Sequence, residues 1–89
     1  MISHPITIIN KLGLHARAAA KFVRLASQFS SDIKLVRSGT EVNAKSILGV
    51  MMLAAAKGTE LDLIIDGTDE AEAVSALETL VINKFDEAE

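Results

Sequence analysis

Residues 60 to 66 read Glu-Leu-Asp-Leu-Ile-Ile-Asp, and they alternate with a period of two. Leu61, Leu63 and Ile65 fall on one side, while Glu60, Asp62 and Asp66 fall on the other. That period belongs to an extended strand with one dry face and one wet face. A sheet built from such strands is covered on one side and left to water on the other. The chain must therefore supply helices as a single covering layer.

The remaining patterns supply both layers. Pro5-Ile6-Thr7-Ile8-Ile9 reads as a strand opened by Pro5, and Asn10 to Leu14 reads as a loop containing Gly13. Residues 16 to 29 read as a helix. Ala19, Phe22, Ala26 and Phe29 recur at steps of three or four and share a buried face, while Arg17, Lys21, Arg24 and Gln28 share the opposite, wet one. Residues 32 to 37 alternate as a strand with Ile33 and Leu35 inward, and Ser38-Gly39 turns it into a short partner strand over 40 to 43. A second helix fits 47 to 56, capped by Ser46 and stopped by Gly58. After the strand at 60 to 66, Gly67-Thr68 turns into a last helix. There Asp69 and Glu72 have capping-box spacing, and Ala73, Val74, Leu77, Leu80 and Val81 form the buried stripe. The ending Asp86-Glu87-Ala88-Glu89 reads as a frayed acidic tail. The order β-α-β-β-α-β-α predicts an α+β two-layer open-faced sandwich: a four-stranded antiparallel sheet with three helices on one face, as a single domain over 1 to 89. Ile9, Val36 and Ile64 then fall on the wet side and are expected to stay partly exposed.

Composition excludes several classes. There is no cysteine, so no disulfide framework or thiolate metal site exists, and two histidines without a carboxylate cluster give no metal site. No apolar stretch is long enough to span a bilayer, and no secretory pattern opens the chain, so a soluble cytoplasmic protein is expected. Trp and Tyr are absent, which argues against base-stacking surfaces. Lys11, Arg17, Lys21 and Arg24 precede every acid in the chain. From Asp32 onward, five basic residues face twelve acidic ones. A basic ridge on an acidic protein suits an anionic group or an acidic protein surface, and it also reads as a plain solvated helix face. The acidic remainder would repel a nucleic acid backbone.

Two segments carry candidate chemistry. In Gly13-Leu14-His15-Ala16-Arg17, His15 sits at a helix start. Unpaired N–H groups and the helix dipole favour an anion there, and a free imidazole nitrogen can act as a nucleophile. An arginine two residues on would help to hold a phosphoryl group. Taken alone, such a histidine also reads as a cap or loop residue. His4, before Pro5, reads as an exposed strand start. In the second segment, Ser46 precedes Ile47, Leu48 and Met51, which lie together on a helix that is apolar nearly all round. They read either as core or as an exposed docking patch. No G-x-S-x-G turn and no phosphate loop of the G-x-x-x-x-G-K type is present.

With both segments in hand, the chain resembles the HPr family, the histidine-containing phosphocarriers of the bacterial phosphoenolpyruvate-dependent phosphotransferase system. The likeness rests on Gly13-Leu14-His15-Ala16-Arg17 and on Lys45-Ser46-Ile47-Leu48-Gly49-Val50-Met51 with Lys57-Gly58, and it runs the whole length. The resemblance implies that His15 takes a phosphoryl group on Nδ1 from phosphorylated Enzyme I and passes it to an EIIA domain, with Arg17 neutralising the group. It implies that Ser46 is the position modified by an HPr kinase/phosphorylase in members that have that regulation. It places Leu14, Ala16, Ala20, Lys21, Arg24, Ile47, Leu48 and Met51 on the shared partner surface. It implies a monomeric stoichiometric carrier, not an enzyme, with no cofactor beyond the covalent phosphoryl group. Ala18 stands where the family usually has proline, leaving one more N–H at the helix start. Phe85-Asp86-Glu87 is similar to nitrogen-branch members and the serine segment to sugar-branch members, so the branch stays open. Two rivals remain at this point: a pure interaction module on the same fold, and a small nucleic-acid-binding domain using the basic ridge.

Overall fold

The computed structural model describes residues 1–88. Its elements are β1 (Ile2–Thr7), α1 (Ala16–Ala26), β2 (Asp32–Arg37), β3 (Thr40–Asn43), α2 (Ile47–Met52), β4 (Glu60–Asp66) and α3 (Glu70–Ile82), followed by a 3-10 turn at Lys84–Asp86. The strands form one antiparallel sheet in the order β1-β4-β2-β3. The expected α+β open-faced sandwich is what forms.

The most regular alternation in the sequence belongs to β4, a central strand with a partner on each side. Leu63 lies opposite His4 of β1 and Leu35 of β2. Ile6, Ile33, Leu35, Leu61, Leu63 and Ile65 point to the helical layer and are buried there with Phe22, Val50 and Leu77. Burying each such side chain stabilises the fold by about 1.5–3 kcal/mol. Thr7, Lys34 and Asp62 lie exposed on the other face. Val36 and Ile64 on that face are half-buried, so they stay partly exposed as expected. Ile64 sits between Ser3 and Lys34 in the register, where the aliphatic stem of the lysine can shield it. Ile9 remains 36% exposed.

Several expected boundaries are corrected. β1 begins at Ile2, not Pro5, and ends at Thr7. As an edge strand paired only with β4, it tolerates a proline that cannot donate to a ladder. α1 ends at Ala26 instead of 29, because Gln28 and Phe29 donate to Leu25 and Ala26 in a tightened last turn. α2 ends at Met52 instead of 56. Ala54 takes a left-handed φ of 51°, and the Arg37 guanidinium donates to the carbonyls of Leu53 (2.6 Å) and Ala54 (2.9 Å). That cation caps the chain end of α2 and lets Leu53 and Ala55 turn into the core.

The expected capping box at Asp69 does not form. The Asp69 side chain caps nothing in α3. Its carboxylate accepts instead from the Ser30 N–H (2.8 Å), the Ser31 N–H (3.0 Å) and both serine hydroxyls. These bonds, that of the Ser31 hydroxyl foremost, hold its carboxyl down at about 2. His4 is not a bare strand start either. It lies on the helical side of β1, half-buried, with Nε2 on the Glu78 carboxylate of α3.

The acidic tail is corrected most. Through Glu87 the closing segment is docked, Ala88 is exposed, and Glu89 lies outside the described residues. Phe85 is fully buried. The chain reaches that position through left-handed backbone at Lys84, Phe85 and Asp86, with φ of 57°, 54° and 63°. Lys21 of α1 donates to the Phe85 carbonyl at 2.9 Å. One buried ring thus sets where the following carboxylate goes.

Candidate functional site

The site begins with the loop between β1 and α1. Asn10 is buried, accepts the Gly13 N–H on its backbone carbonyl (3.2 Å), and donates its side-chain amide to the Gly13 carbonyl (2.8 Å). Gly13 has φ of 67°, and a Cβ there would collide with the Ala55 backbone. Only glycine fits both demands. Leu14 then donates its N–H to the Ala55 carbonyl at 2.8 Å and buries its side chain. The loop is thereby fastened at both ends, and the next residue is His15.

His15 is the N-cap of α1, in extended backbone, and its carbonyl accepts the Ala19 N–H at 2.8 Å. Its side chain makes no capping bond, and the first turn of α1 holds no acid. The N–H groups of Ala16, Arg17 and Ala18 have no acceptor within the helix. They and the helix dipole favour an anion at this point. Arg17 is exposed and lines the same open cleft as Lys11, His15 and Lys21.

Glu87 closes the cleft from the chain's far end. One carboxylate oxygen accepts the Asn10 side-chain amide at 2.9 Å, and the other pairs with Nε2 of His15. Burial pushes the Glu87 carboxyl up. The hydrogen bonds from Asn10 and His15, with the charges of His15 and Arg17, outweigh that and hold it below the usual carboxylate range. An ionised carboxylate has only acceptors to offer, so Nε2 carries the hydrogen. In the neutral ring Nδ1 is then the nitrogen with the free lone pair. Among the described residues, Nδ1 makes no hydrogen bond. The arrangement can present a nucleophilic nitrogen beside an anion-binding helix start.

The second segment is placed as follows. Ser46 caps α2, its hydroxyl accepting the Gly49 N–H at 3.1 Å. Ile47, Leu48 and Met51 are exposed by 45%, 74% and 39%, so they read as surface and not as core. Ala16, Arg17 and Arg24 are exposed, while Ala20 and Lys21 are half-buried. Leu14, expected on the partner surface, is only 6% exposed, because its backbone is drawn against Ala55. It supports the surface from beneath. Among the described residues, no group of acids and histidines is arranged to hold a metal, and no helix is long and apolar enough to cross a membrane.

The model of the family described as the PTS HPr component phosphorylation site matches residues 2–83. The chain belongs to the HPr family. It is 55% identical over 89 residues to the phosphocarrier protein HPr of Neisseria meningitidis, covering all of both chains, and likewise 55% identical to that of Cupriavidus necator. Among solved structures, HPr-C-His from Thermoanaerobacter tengcongensis superposes with a TM-score of 0.96 at 47% identity, covering all of both chains. An HPr from Bacillus anthracis superposes at 0.86 with 40% identity, covering 90% of this chain and 95% of that one. The closing segment that carries Glu87 lies beyond the residues matched by the family model.

Sequence reasoning missed Asn10, Glu87, Leu12 and Met52. Leu12 and Met52, 66% and 79% exposed, extend the apolar surface. Met52 could have been found, since a six-residue helix has little room to bury five apolar side chains. Asn10 and Glu87 left no local signal, as their partners are far away in the chain.

Proposed function

We propose that this chain is a phosphoryl carrier of the phosphotransferase system. His15 accepts a phosphoryl group on Nδ1 from phosphorylated Enzyme I and passes it to an EIIA domain. The observation that carries this reading is the place of His15 at the start of α1, beside amides with no acceptor in the helix and in the same open cleft as Arg17. Those amides and Arg17 offset the phosphoryl charge. The site is open, so each partner supplies the other half and aligns the two histidines in line. No cofactor is called for, and the protein acts as a stoichiometric monomer in the cytoplasm.

The partner surface in this reading joins the basic side chains Arg17, Lys21 and Arg24 to Ile47, Leu48 and Met51, with Ala16 and Ala20 between them. Its charge steers acidic partners, and its apolar patch provides the contact core. Ser46 is its regulatory position. A phosphate there would add roughly −1.5 to −2 charges beside that patch. The helix end tolerates the charge, so the effect falls on docking and not on folding.

The test is incubation with Enzyme I and phosphoenolpyruvate, followed by mass spectrometry under non-acidic conditions. One acid-labile phosphoryl adduct at His15 is expected, and none in His15→Ala. Persistent labelling of that variant removes His15 from its role.

A further inference from the structure

We infer that Glu87 is a positioning residue for phosphoryl transfer: its carboxylate keeps the proton on Nε2 of His15 both before and after Nδ1 carries the phosphoryl group. The inference rests on the carrier reading above.

Three observations meet here. Glu87 touches the ring directly, and its side chain is only 14% exposed, so water screens the pair weakly. Its second oxygen is anchored by Asn10, whose side chain also holds the Gly13 carbonyl, so carboxylate and imidazole ride on one loop. Phe85, two residues earlier, is buried, and Lys21 grips its carbonyl, so the carboxylate cannot swing away without undocking the segment.

The transfer step then balances without moving a proton. The Nδ1 lone pair attacks phosphorus, the donor's N–P bond breaks, and that electron pair returns to the donor nitrogen. Nε2 keeps its hydrogen throughout, so the ring becomes an N-phosphoryl imidazolium whose positive charge faces Glu87. In the onward step an acceptor nitrogen attacks phosphorus, and the Nδ1–P pair falls back onto a neutral ring. If Nε2 lost its proton in between, the ring would have to leave as an anion, a far poorer leaving group. The other charged groups lining this cleft are Lys11 from the loop, Arg17 and Lys21 from α1, and Asp86, which lies 4.0 Å from the Lys21 ammonium. Among the described residues, Glu87 is the carboxylate in contact with the ring.

Two measurements on the full chain, labelled with ¹⁵N-histidine, test this. The first needs no phosphorylation: long-range ¹H–¹⁵N spectra of the neutral ring, recorded at alkaline pH, should show the hydrogen of His15 on Nε2. A hydrogen on Nδ1 overturns the inference. In the second, wild type and Glu87→Gln are phosphorylated and titrated. The phospho-ring of Glu87→Gln should lose its proton about one pH unit lower. Phosphoryl donation to an EIIA domain should fall about tenfold above both midpoints and stay unchanged below them. Coincident midpoints and equal donation rates overturn the inference. Wild type that takes no phosphoryl group at His15 instead removes the carrier reading, while leaving the first measurement intact.

Discussion

Phe85→Ala should free the segment that carries Glu87, and its cost can be worked from opposing contributions. Phe85 is completely buried, which favours docking by about 3 kcal/mol. Left-handed backbone at Lys84, Phe85 and Asp86 opposes it by about 1 kcal/mol per residue. The two nearly cancel. The margin that remains comes from polar contacts: Lys21 to the Phe85 carbonyl, and Asn10 and His15 to the Glu87 carboxylate, at about 1 kcal/mol each. Removing the ring brings the balance to about zero, so the segment should spend much of its time off its site with its backbone relaxed instead of bridging a void. Stability should therefore fall by about 3 kcal/mol, toward the lower end of the range for a Phe-to-Ala change in a core. For a domain of this size that is a loss of roughly 10–20 °C in Tm. Native-state hydrogen exchange supplies the sharper assay. The Asp86 and Glu87 amides, bonded to the carbonyls of Asn83 (3.0 Å) and Lys84 (2.9 Å), should lose protection outright, while β4 amides keep most of theirs. Retained protection at Asp86 and Glu87 alongside a lowered Tm would refute this reasoning, because the polar contacts alone would then hold the segment.

Two further outcomes are expected. The Asp69 carboxyl is held at about 2 against an ordinary value of 3.8, so its contribution is fully present above pH 3.8 and is lost as pH falls through 2. Asp69→Asn should lower Tm at neutral pH and flatten the acid limb of the stability curve, read by thermal melts between about pH 2 and pH 7; parallel curves for the two proteins count against it. Ser46→Asp should keep the cap of α2 and slow phosphoryl acceptance from Enzyme I, whereas Ser46→Ala should cost about 1 kcal/mol in melts and leave transfer unchanged. Equal transfer rates in wild type and Ser46→Asp leave Ser46 as a helix cap.

What could be read in the chain was what repeats or sits next to itself. The period of β4, the two faces of α1, the cap at Ser46 and the placement of His15 at a helix start are local facts, and each stands in the structure. What could not be read depends on distant partners. Asp69 has capping-box spacing, yet two serines nearly forty positions earlier take its oxygens. α2 looks long by composition, yet Arg37 closes it early. Charged residues at a chain end read as solvated by default, and nothing local says that Glu87 returns across the fold to His15. The placement of His15 was therefore legible, and the carboxylate that bonds its ring was not.

The seam between Leu14 and Ala55 has a consequence for how such a carrier varies. The His15 ring and the greasy panel behind Ser46 are stitched by the backbone bond from Leu14 to Ala55, with no spare volume at Gly13. They cannot drift independently, so a docking partner that probes one is also gauging the other. A one-residue insertion anywhere from Leu53 to Ala56 would throw the ring out of alignment without touching it.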